Sequence, residues 1–393
     1  MKKTTYILIF LLQANLIFAQ LINSNHIDSI VNNYAVNYSI VGLSIGVVYK
    51  DSIETKSYGI TNQNSESEIT ENTLFNVASI TKLFTATAII QLVEQGELNL
   101  DDKLVDIIPE FKMKDKRFNE ITVYHLLTHS SGLMWDNKLK NSPNNETSLP
   151  LYLKNLEKKK LNFNPGSKMS YETYSNVAFD LLGLIIEKKS NQSYEEYINN
   201  NQLSKLGLSQ STFDLKSINN SNIALPQIIA GDSKDINRLN FQGIDRKKNP
   251  IINGEPLLLE TYNKIGEEYE HNPSGNLMSS TSELTVWLNE ILKTYSDSSN
   301  NQILSKSSLE KMWQKNYLAS SNNIFMGLGW WIKEDKQYGK SYFHVGTNPG
   351  YCSILMIYPE KDLGIVILSN GWYAKDAIWN KLFNEIVKLY HTE

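Results

Sequence analysis

Residues 75–93 read FNVASITKLFTATAIIQLV, and the part from residue 83 onward is apolar on nearly all sides at helical spacing. This pattern predicts a helix buried in the core, which Gly96 is suited to end. Ser79 and Lys82 stand at its start three positions apart, so they share a helix face and the lysine amine can reach the serine hydroxyl. Serine needs a nearby base to become a nucleophile. The segment therefore predicts a catalytic Ser79 activated by Lys82.

The Ser-x-x-Lys pattern by itself is weak, because the chain contains a second copy at Ser308 and Lys311. That copy lies in a polar segment where Ser307 and Glu310 resemble a helix capping box, so we interpret it as structural. Ser79 differs because a buried apolar helix follows it. Its surroundings, rather than the four residues alone, favour the catalytic interpretation.

Strand-like segments lie near both ends of the chain. The first two are joined by a short turn and predict a hairpin, and a Pro-Glu-Lys-Asp turn separates the last two. The six predicted strands are 41–49, 53–60, 329–333, 341–345, 353–358 and 364–369.

Helical patterns fill most of the region from about residue 100 to 320, and a closing helix is predicted at 374–390. This order predicts an α/β fold class: an antiparallel sheet built from both termini and flanked by helices, with an inserted, mostly helical subdomain. A cleft would lie between the two parts. Long polar loops predicted at 137–148 and 231–270 would form its walls.

The N-terminus has the layout of a secretory signal, with two lysines followed by an apolar stretch. We expect a signal peptide over residues 1–19 and the mature domain over 24–393. Gln13 and Asn15 interrupt the apolar stretch, which argues against a membrane anchor because spanning takes about 20 apolar residues. No later run is long enough to span. We therefore expect a periplasmic or secreted protein of bacterial type, without an integral membrane span in the mature chain.

The composition also narrows the class of partner. The net charge is −4, the pI is near 6.0 and the sequence has no dense Lys/Arg block. The composition therefore does not indicate a basic surface that would bind nucleic acid or an anionic membrane. The only cysteine, Cys352, lies in an apolar run and is interpreted as a buried strand residue. No Cys/His cluster has metal-ligand spacing, so we expect no metal and no organic cofactor. A small-molecule or short-peptide substrate is the expected partner.

Two further elements accompany the first motif. Tyr174-Ser175-Asn176 ends a loop containing Pro-Gly, just before a predicted helix, and loops held on a scaffold often carry catalytic side chains. A similar pattern at Tyr197 lies inside a predicted amphipathic helix and is interpreted as structural. His344-Val345-Gly346-Thr347 ends a predicted strand and is the only His-x-Gly in the chain, and its glycine lets the backbone approach a ligand.

Four other residues attract attention. His125 and His129 are spaced i, i+4, as in some zinc sites, but no acidic partner follows in a metalloprotease pattern. Trp330 and Trp331 lie next to the third motif, where one face of the strand could line the cleft and the other the core. We interpret all four as structural.

The three elements, in this order, resemble the serine β-lactamase and penicillin-binding family, whose first motif is Ser-x-x-Lys. The likeness is greatest to its class C-like branch, which includes DD-peptidases, D-amino-acid peptidases and esterases. It continues at residues 75–79, 125–133, 272–277 and 358–364, and covers most of the mature chain.

The resemblance implies a role for each motif residue. Ser79 would form an acyl-enzyme, while Lys82 and Tyr174 would share the proton-transfer work, and either of the two can be the base. The backbone N–H groups of Ser79 and Thr347 would form the oxyanion hole. Asn176 would bind the acyl-side amide of the substrate.

The third motif departs from the antibiotic-degrading pattern. His344 stands where β-lactamases of this branch usually carry the lysine of Lys-Thr-Gly, and Gly346 completes the motif. An imidazole with a pKa near 6.5 is mostly uncharged at neutral pH, so it binds a carboxylate weakly. The sequence thus favours a D-amino-acid-containing peptide, for example a peptidoglycan fragment, or an ester as substrate. The alternatives are a β-lactamase and a non-catalytic homologue that binds peptidoglycan or peptides.

Overall fold

The computed structural model of this 393-residue chain describes residues 26–133, 156–229, 259–261 and 271–391, apart from positions 36–37, 39, 51, 63–65, 216–217, 219–221, 298, 300–301 and 321–322. The loop predicted at 137–148 lies outside the described residues, as does the predicted signal peptide. Most of the loop predicted at 231–270 also lies outside them.

The described strands form one large antiparallel sheet and two small ones. The large sheet has eight strands in the order β2-β1-β12-β11-β10-β9-β8-β7, while β3 pairs with β6 and β4 pairs with β5. The strands are β1 (Gly42–Tyr49), β2 (Ser52–Gly59), β3 (Phe75–Asn76), β4 (Gln227–Ile229), β5 (Leu259–Thr261), β6 (Met278–Ser279), β7 (Tyr317–Ser320), β8 (Ile324–Met326), β9 (Trp331–Asp335), β10 (Gly339–Asn348), β11 (Tyr351–Tyr358) and β12 (Leu363–Ser369).

The sheet joins the two ends of the chain. Strand β1 pairs with β12, so that Leu43 faces Ser369 and Tyr49 faces Leu363. The predicted α/β fold class, an antiparallel sheet built from both termini, is therefore confirmed. The sheet is two strands wider than the sequence predicts, because the short strands β7 and β8 extend its edge beyond β9.

Helices precede, interrupt and close the sheet. Most of them lie between β3 and β7, in the region predicted to be helical. The helices are α1 (26–35), α2 (Thr81–Glu94), α3 (Leu104–Ile107), α4 (Val123–Leu127), α5 (Asn176–Ser190), α6 (Tyr194–Ile198), α7 (Asn272–Gly275), α8 (Thr281–Ser296), α9 (Lys306–Met312), α10 (Lys375–Ala377) and α11 (Phe383–His391). Among the described helices, none combines the length and apolar character that a bilayer crossing requires.

Both faces of the sheet are covered, which explains why its central strands are almost continuously apolar. On β12, Ile365 and Ile367 belong to one core cluster together with Ile386 of α11. The alternate residues Val366 and Leu368 belong to the other cluster, which includes helices α2, α5 and α8. Helices α2, α5 and α8 are therefore fixed to the sheet through a shared core.

Two local predictions differ from the structure. The closing helix is not continuous, because a π-helical turn at Ile378–Leu382 separates α10 from α11. Helix α9 is capped by Ser305, whose hydroxyl accepts the Ser308 N–H, and not by the predicted Ser307. Neither difference touches the sheet.

Candidate active site

Ser79 lies in a strained turn directly before α2. It is the middle residue of the 3-10 turn Ala78–Ile80, and Ala78 has a positive φ of 49°, a conformation that L-residues rarely adopt. The Ala78 N–H donates to Asn76 Oδ1 at 2.8 Å, and Asn348 Nδ2 donates to the same oxygen at 2.7 Å. These bonds stabilise a turn that leaves Ser79 partly exposed at the start of a buried helix.

Lys82 is completely buried and has three polar neighbours. Its Nζ lies 3.1 Å from Ser79 Oγ, 2.8 Å from Asn176 Oδ1 and 2.5 Å from the carbonyl oxygen of Ser274. Burial lowers the pKa of Lys82 to about 7, and the charge of Asp180 opposes that shift. A neutral amine has two N–H bonds, which the Asn176 and Ser274 oxygens can accept. Its lone pair then faces Ser79.

Tyr174 lies on the other side of Lys82. Its ring centroid is 4.9 Å from Lys82 Nζ, and its phenol interacts with Ser79. Burial raises the pKa of Tyr174, while the hydrogen bond with Ser79 acts in the opposite direction. The phenol is therefore protonated at neutral pH and can serve as a proton donor.

Asn176 is held in place by the start of α5. Ser175 is the N-cap of this helix, and its hydroxyl accepts the Ala178 N–H at 3.1 Å. Asn176 is the first helical residue, so its side chain points back toward Lys82 as the hydrogen bond to Nζ requires. The tripeptide Tyr174-Ser175-Asn176 thus places two polar groups beside Lys82.

Strand β10 passes close to the Ser79 turn at Gly346. A Cβ at this position would lie 2.9 Å from Ser79 N and 2.6 Å from the Val77 carbonyl oxygen. Only glycine permits so close an approach. The next residue, Thr347, is partly exposed on the same strand, and its N–H is the second donor expected for an oxyanion hole.

His344 is buried two residues earlier on β10. Its Nδ1 lies 2.7 Å from the Val345 carbonyl oxygen, so Nδ1 carries the proton and donates it. Burial and, to a lesser extent, the charge of Lys82 lower the pKa of His344 to about 3. The residue is neutral at physiological pH and supplies no positive charge to a substrate.

Two residues that sequence reasoning treated as structural lie against Tyr174. The His129 ring is 4.3 Å from the Tyr174 ring, and Trp331 stacks at 6.3 Å. By contrast, His125 caps α4 through the Thr122 N–H, and Trp330 stacks on Trp287 in the core. The sequence signals for His129 are its i, i+4 spacing from His125 and its place in the segment 125–133, and neither of them indicates a contact with Tyr174.

Among the described residues, no group of three or more His, Cys, Asp or Glu side chains is arranged to hold a metal ion. Asp180 and His271, on α5 and just before α7, form a pair of their own, while the imidazoles of His129 and His344 lie near Tyr174.

Comparisons with known proteins identify the family of the chain. The model of the Beta-lactamase family matches residues 27–385. Protein flp of Staphylococcus aureus (strain MRSA252) is 27% identical over 354 residues, which make up 88% of this chain and 63% of that protein. This chain thus spans less than two thirds of the length of that relative.

Solved structures share the fold. The octameric penicillin-binding protein homologue from Pyrococcus abyssi has a TM-score of 0.70 and 25% identity, covering 90% of this chain and 76% of that one. The β-lactamase/D-alanine carboxypeptidase from Pseudomonas syringae has a TM-score of 0.71 and 17% identity, with coverage of 94% and 99%. Because the family model spans nearly the whole chain, this protein belongs to the Beta-lactamase family of serine hydrolases.

Proposed function

We propose that this protein is an exported serine hydrolase that cleaves a small amide or ester through an acyl-enzyme on Ser79. The observation that carries the proposal is the contact between Lys82 Nζ and Ser79 Oγ at 3.1 Å. The lysine in this contact is buried and has a pKa of about 7. A general base works best when its pKa lies near the working pH.

In the acylation step, Ser79 Oγ attacks the carbonyl carbon of the substrate and passes its proton to the neutral amine of Lys82. The N–H groups of Ser79 and Thr347 stabilise the oxyanion, an effect worth about 10²–10³ in rate per donor. Collapse of the tetrahedral intermediate breaks the bond to the leaving group, which takes a proton from Tyr174. Lys82 returns a proton to Tyr174.

Deacylation reverses these roles. A water molecule attacks the ester carbon of the acyl-enzyme and loses a proton to the Lys82–Tyr174 pair. The bond to Ser79 Oγ then breaks, the serine regains a proton, and the acid product leaves. We assign the base role to Lys82, because burial raises the pKa of Tyr174 and keeps the phenol protonated.

The neutral His344 supports D-amino-acid amides and esters that have no carboxylate beside the scissile bond over β-lactams as substrates. A β-lactam antibiotic carries a carboxylate beside the reacting ring, and a buried imidazole with a pKa of about 3 offers it no positive charge. We propose D-amino-acid-containing peptides and esters as substrates, with Asn176 binding the acyl-side amide.

The experiment that tests the nucleophile is labelling with a fluorophosphonate probe. We expect wild-type protein to carry one label, on the peptide containing Ser79. Ser79→Ala should not be labelled and should lose turnover by a factor of up to about 10⁶. Ser308→Ala, in the second Ser-x-x-Lys copy, is the matched control and should be labelled like wild type.

A hydrolysis panel then tests the substrate class. It compares nitrophenyl esters, D-amino-acid amides, D-Ala-D-Ala peptides and nitrocefin, and we expect nitrocefin to be the poorest substrate. Binding of a D-Ala-D-Ala peptide without cleavage, together with an unlabelled Ser79, would instead support a non-catalytic binding protein. Export is tested separately, by expression in a bacterial host and mass determination of the mature N-terminus.

A further inference from the structure

One face of α5 is fitted to Lys82 and to the short helix α7. Asn176, Asp180 and Gly183 follow at i, i+4 and i+7 and share this face. Asn176 Oδ1 accepts a hydrogen bond from Lys82 Nζ, and Asp180 contacts His271. A Cβ at Gly183 would lie only 2.2 Å from Pro273, so α5 packs directly on α7.

Helix α7 is held from its other side by α2. Thr85 Oγ1 donates to the Pro273 carbonyl oxygen at 2.6 Å, and Thr81 Oγ1 accepts the Leu277 N–H at 3.2 Å. Between these two contacts, the Ser274 carbonyl oxygen accepts from Lys82. The turn is thus enclosed between α2 and α5, and its Ser274 carbonyl is directed at Lys82.

Asp180 is completely buried, and its Oδ2 lies 2.9 Å from Nδ1 of His271, the residue that precedes α7. An ionised carboxylate only accepts hydrogen bonds, so the His271 Nδ1–H is the donor. Burying a carboxylate is unfavourable unless it is paired. The proposed chemistry on Ser79 uses neither residue, and their pairing links the middle of α5 to the start of the turn that contacts Lys82.

We infer that Asp180 and His271 are positioning residues for Lys82: the pair holds the Ser274 carbonyl against Nζ and keeps one negative charge near the amine. Their role rests on the proposed function, since it concerns the base that activates Ser79. Asp180 is assigned as a positioning residue and not as a catalytic one, because the role inferred for it acts through Lys82.

The charges around the pair favour this role. Asp180 opposes the effect of burial on the pKa of Lys82. Burial is the main cause of the raised pKa of Tyr174 and of Tyr194, and the charge of Asp180 raises both further. The titratable or charged groups facing Lys82 and Asp180 are His129, Tyr174, Tyr194, His271 and His344, together with the Ser79 hydroxyl.

The test measures the rate of Ser79 labelling by the fluorophosphonate probe as a function of pH. Asp180→Asn keeps the shape of the side chain but removes the charge, so Lys82 should lose its proton more easily. We expect the acidic limb of the profile to move to lower pH by about one unit. Glu283→Gln removes another buried carboxylate, bonded to Ser211 and Gln210, and should leave the limb in place.

A slower Asp180→Asn enzyme whose limb stays at the wild-type pH would overturn the inference, because a merely structural residue changes the rate without moving the profile. If Asp180→Asn does not fold, two variants of His271 decide. His271→Leu removes the donor and should slow labelling about ten- to a hundredfold by misplacing Lys82. His271→Asn, which keeps an N–H near the Nδ1 position, should label faster than His271→Leu.

Equal labelling rates in the two His271 variants would also overturn the inference. The wild-type reaction separates this result from a failure of the proposed function. If wild-type Ser79 is not labelled at any pH, the proposed nucleophile is wrong and the role of Asp180 falls with it. If wild type is labelled, the pH profile of Asp180→Asn and the comparison of His271→Leu with His271→Asn test the positioning role alone.

Discussion

The imidazole of His129 lies against the phenol ring of Tyr174, with 4.3 Å between the ring centroids, and its Nδ1 accepts the Ser175 N–H at 3.1 Å. One residue therefore packs on the proposed proton donor and also bonds the N-cap of α5. Burial holds the pKa of His129 well below its usual value, so the ring is neutral and its proton is on Nε2. We conclude that His129 positions Tyr174 without exchanging protons itself.

Replacing His129 by leucine should destabilise the protein and slow labelling of Ser79. The buried Ser175 N–H would lose its acceptor, at a cost of about 1–3 kcal/mol. His129 also has a positive φ of 52°, which leucine adopts less readily than asparagine. His129→Asn keeps an acceptor and tolerates this backbone, so it should unfold at a higher temperature than His129→Leu. Thermal unfolding measures the difference, and equal midpoints would contradict the role given to Nδ1.

The role of His129 could not be predicted from the sequence, because the contact joins residues 46 positions apart. The motif residues Ser79, Lys82 and Tyr174 were found because each stands at a recognisable spacing or at a junction between loop and helix. His129 has the same i, i+4 spacing from His125 as a zinc ligand or a helix-packing residue. What distinguishes it is the backbone conformation after α4, and that is set by tertiary packing.

The pH dependence of acylation should follow Lys82 and not a histidine. Lys82 must be neutral to accept the proton of Ser79, so kcat/KM should rise with pH through a midpoint of about 7. An ordinary histidine would titrate near the same pH, but burial lowers the pKa of His344 to about 3. His344→Asn should therefore change the rate and leave the midpoint of the acidic limb where it is.

The measurement is kcat/KM for a nitrophenyl ester between pH 5 and 9, on wild type and His344→Asn. A midpoint that disappears or moves by a full unit in this variant would assign the limb to His344. In that case the imidazole is charged below neutral pH, and the preference for amides and esters over β-lactams would have to be withdrawn.

Gly346→Ala should disable the oxyanion hole. The added Cβ would meet the Val77 carbonyl oxygen and Ser79 N at distances below 3.0 Å, so β10 would have to move away from the nucleophile turn. We expect acylation to fall by about 10²–10³ through the loss of one donor. Gly364→Ala on β12 is the control, because its Cβ would meet side-chain atoms at 3.3 Å or more. Similar losses in both variants would indicate a general effect on the sheet.

The sheet was largely predictable and its irregularities were not. Strands β1 and β12 have near-continuous apolar sequences because both of their faces are covered, so composition alone located them. The π-helical turn near the C-terminus contains Trp379, whose Nε1 donates to the Ser353 carbonyl oxygen on β11 at 2.9 Å, a long-range contact that no local pattern encodes. The short edge strands β7 and β8 carry too few residues to show a periodicity.

Lys82→Met should raise the stability of the protein relative to wild type, most of all near pH 7 and below. In the folded protein the pKa of Lys82 is about 7, whereas in the unfolded chain it has the ordinary lysine pKa of 10.5. Between pH 7 and 10.5 the unfolded chain therefore binds more protons than the folded protein. Wild-type stability therefore rises with pH across this window. The advantage of Lys82→Met should shrink by about 1.4 kcal/mol per pH unit between pH 7 and 10.

Urea unfolding at pH 6.5, 8 and 9.5 measures this change in slope. Lys82→Met also loses the hydrogen bonds to Asn176 and Ser274, which changes its free energy of unfolding. This change varies little with pH above pH 7, because the amine is already neutral in the folded protein there. Lys311→Met, at the exposed lysine of the second Ser-x-x-Lys copy, controls for the loss of a charge as such. A stability difference between Lys82→Met and wild type that stays constant from pH 6.5 to 9.5 would mean that Lys82 is protonated throughout. It could not then be the base that activates Ser79.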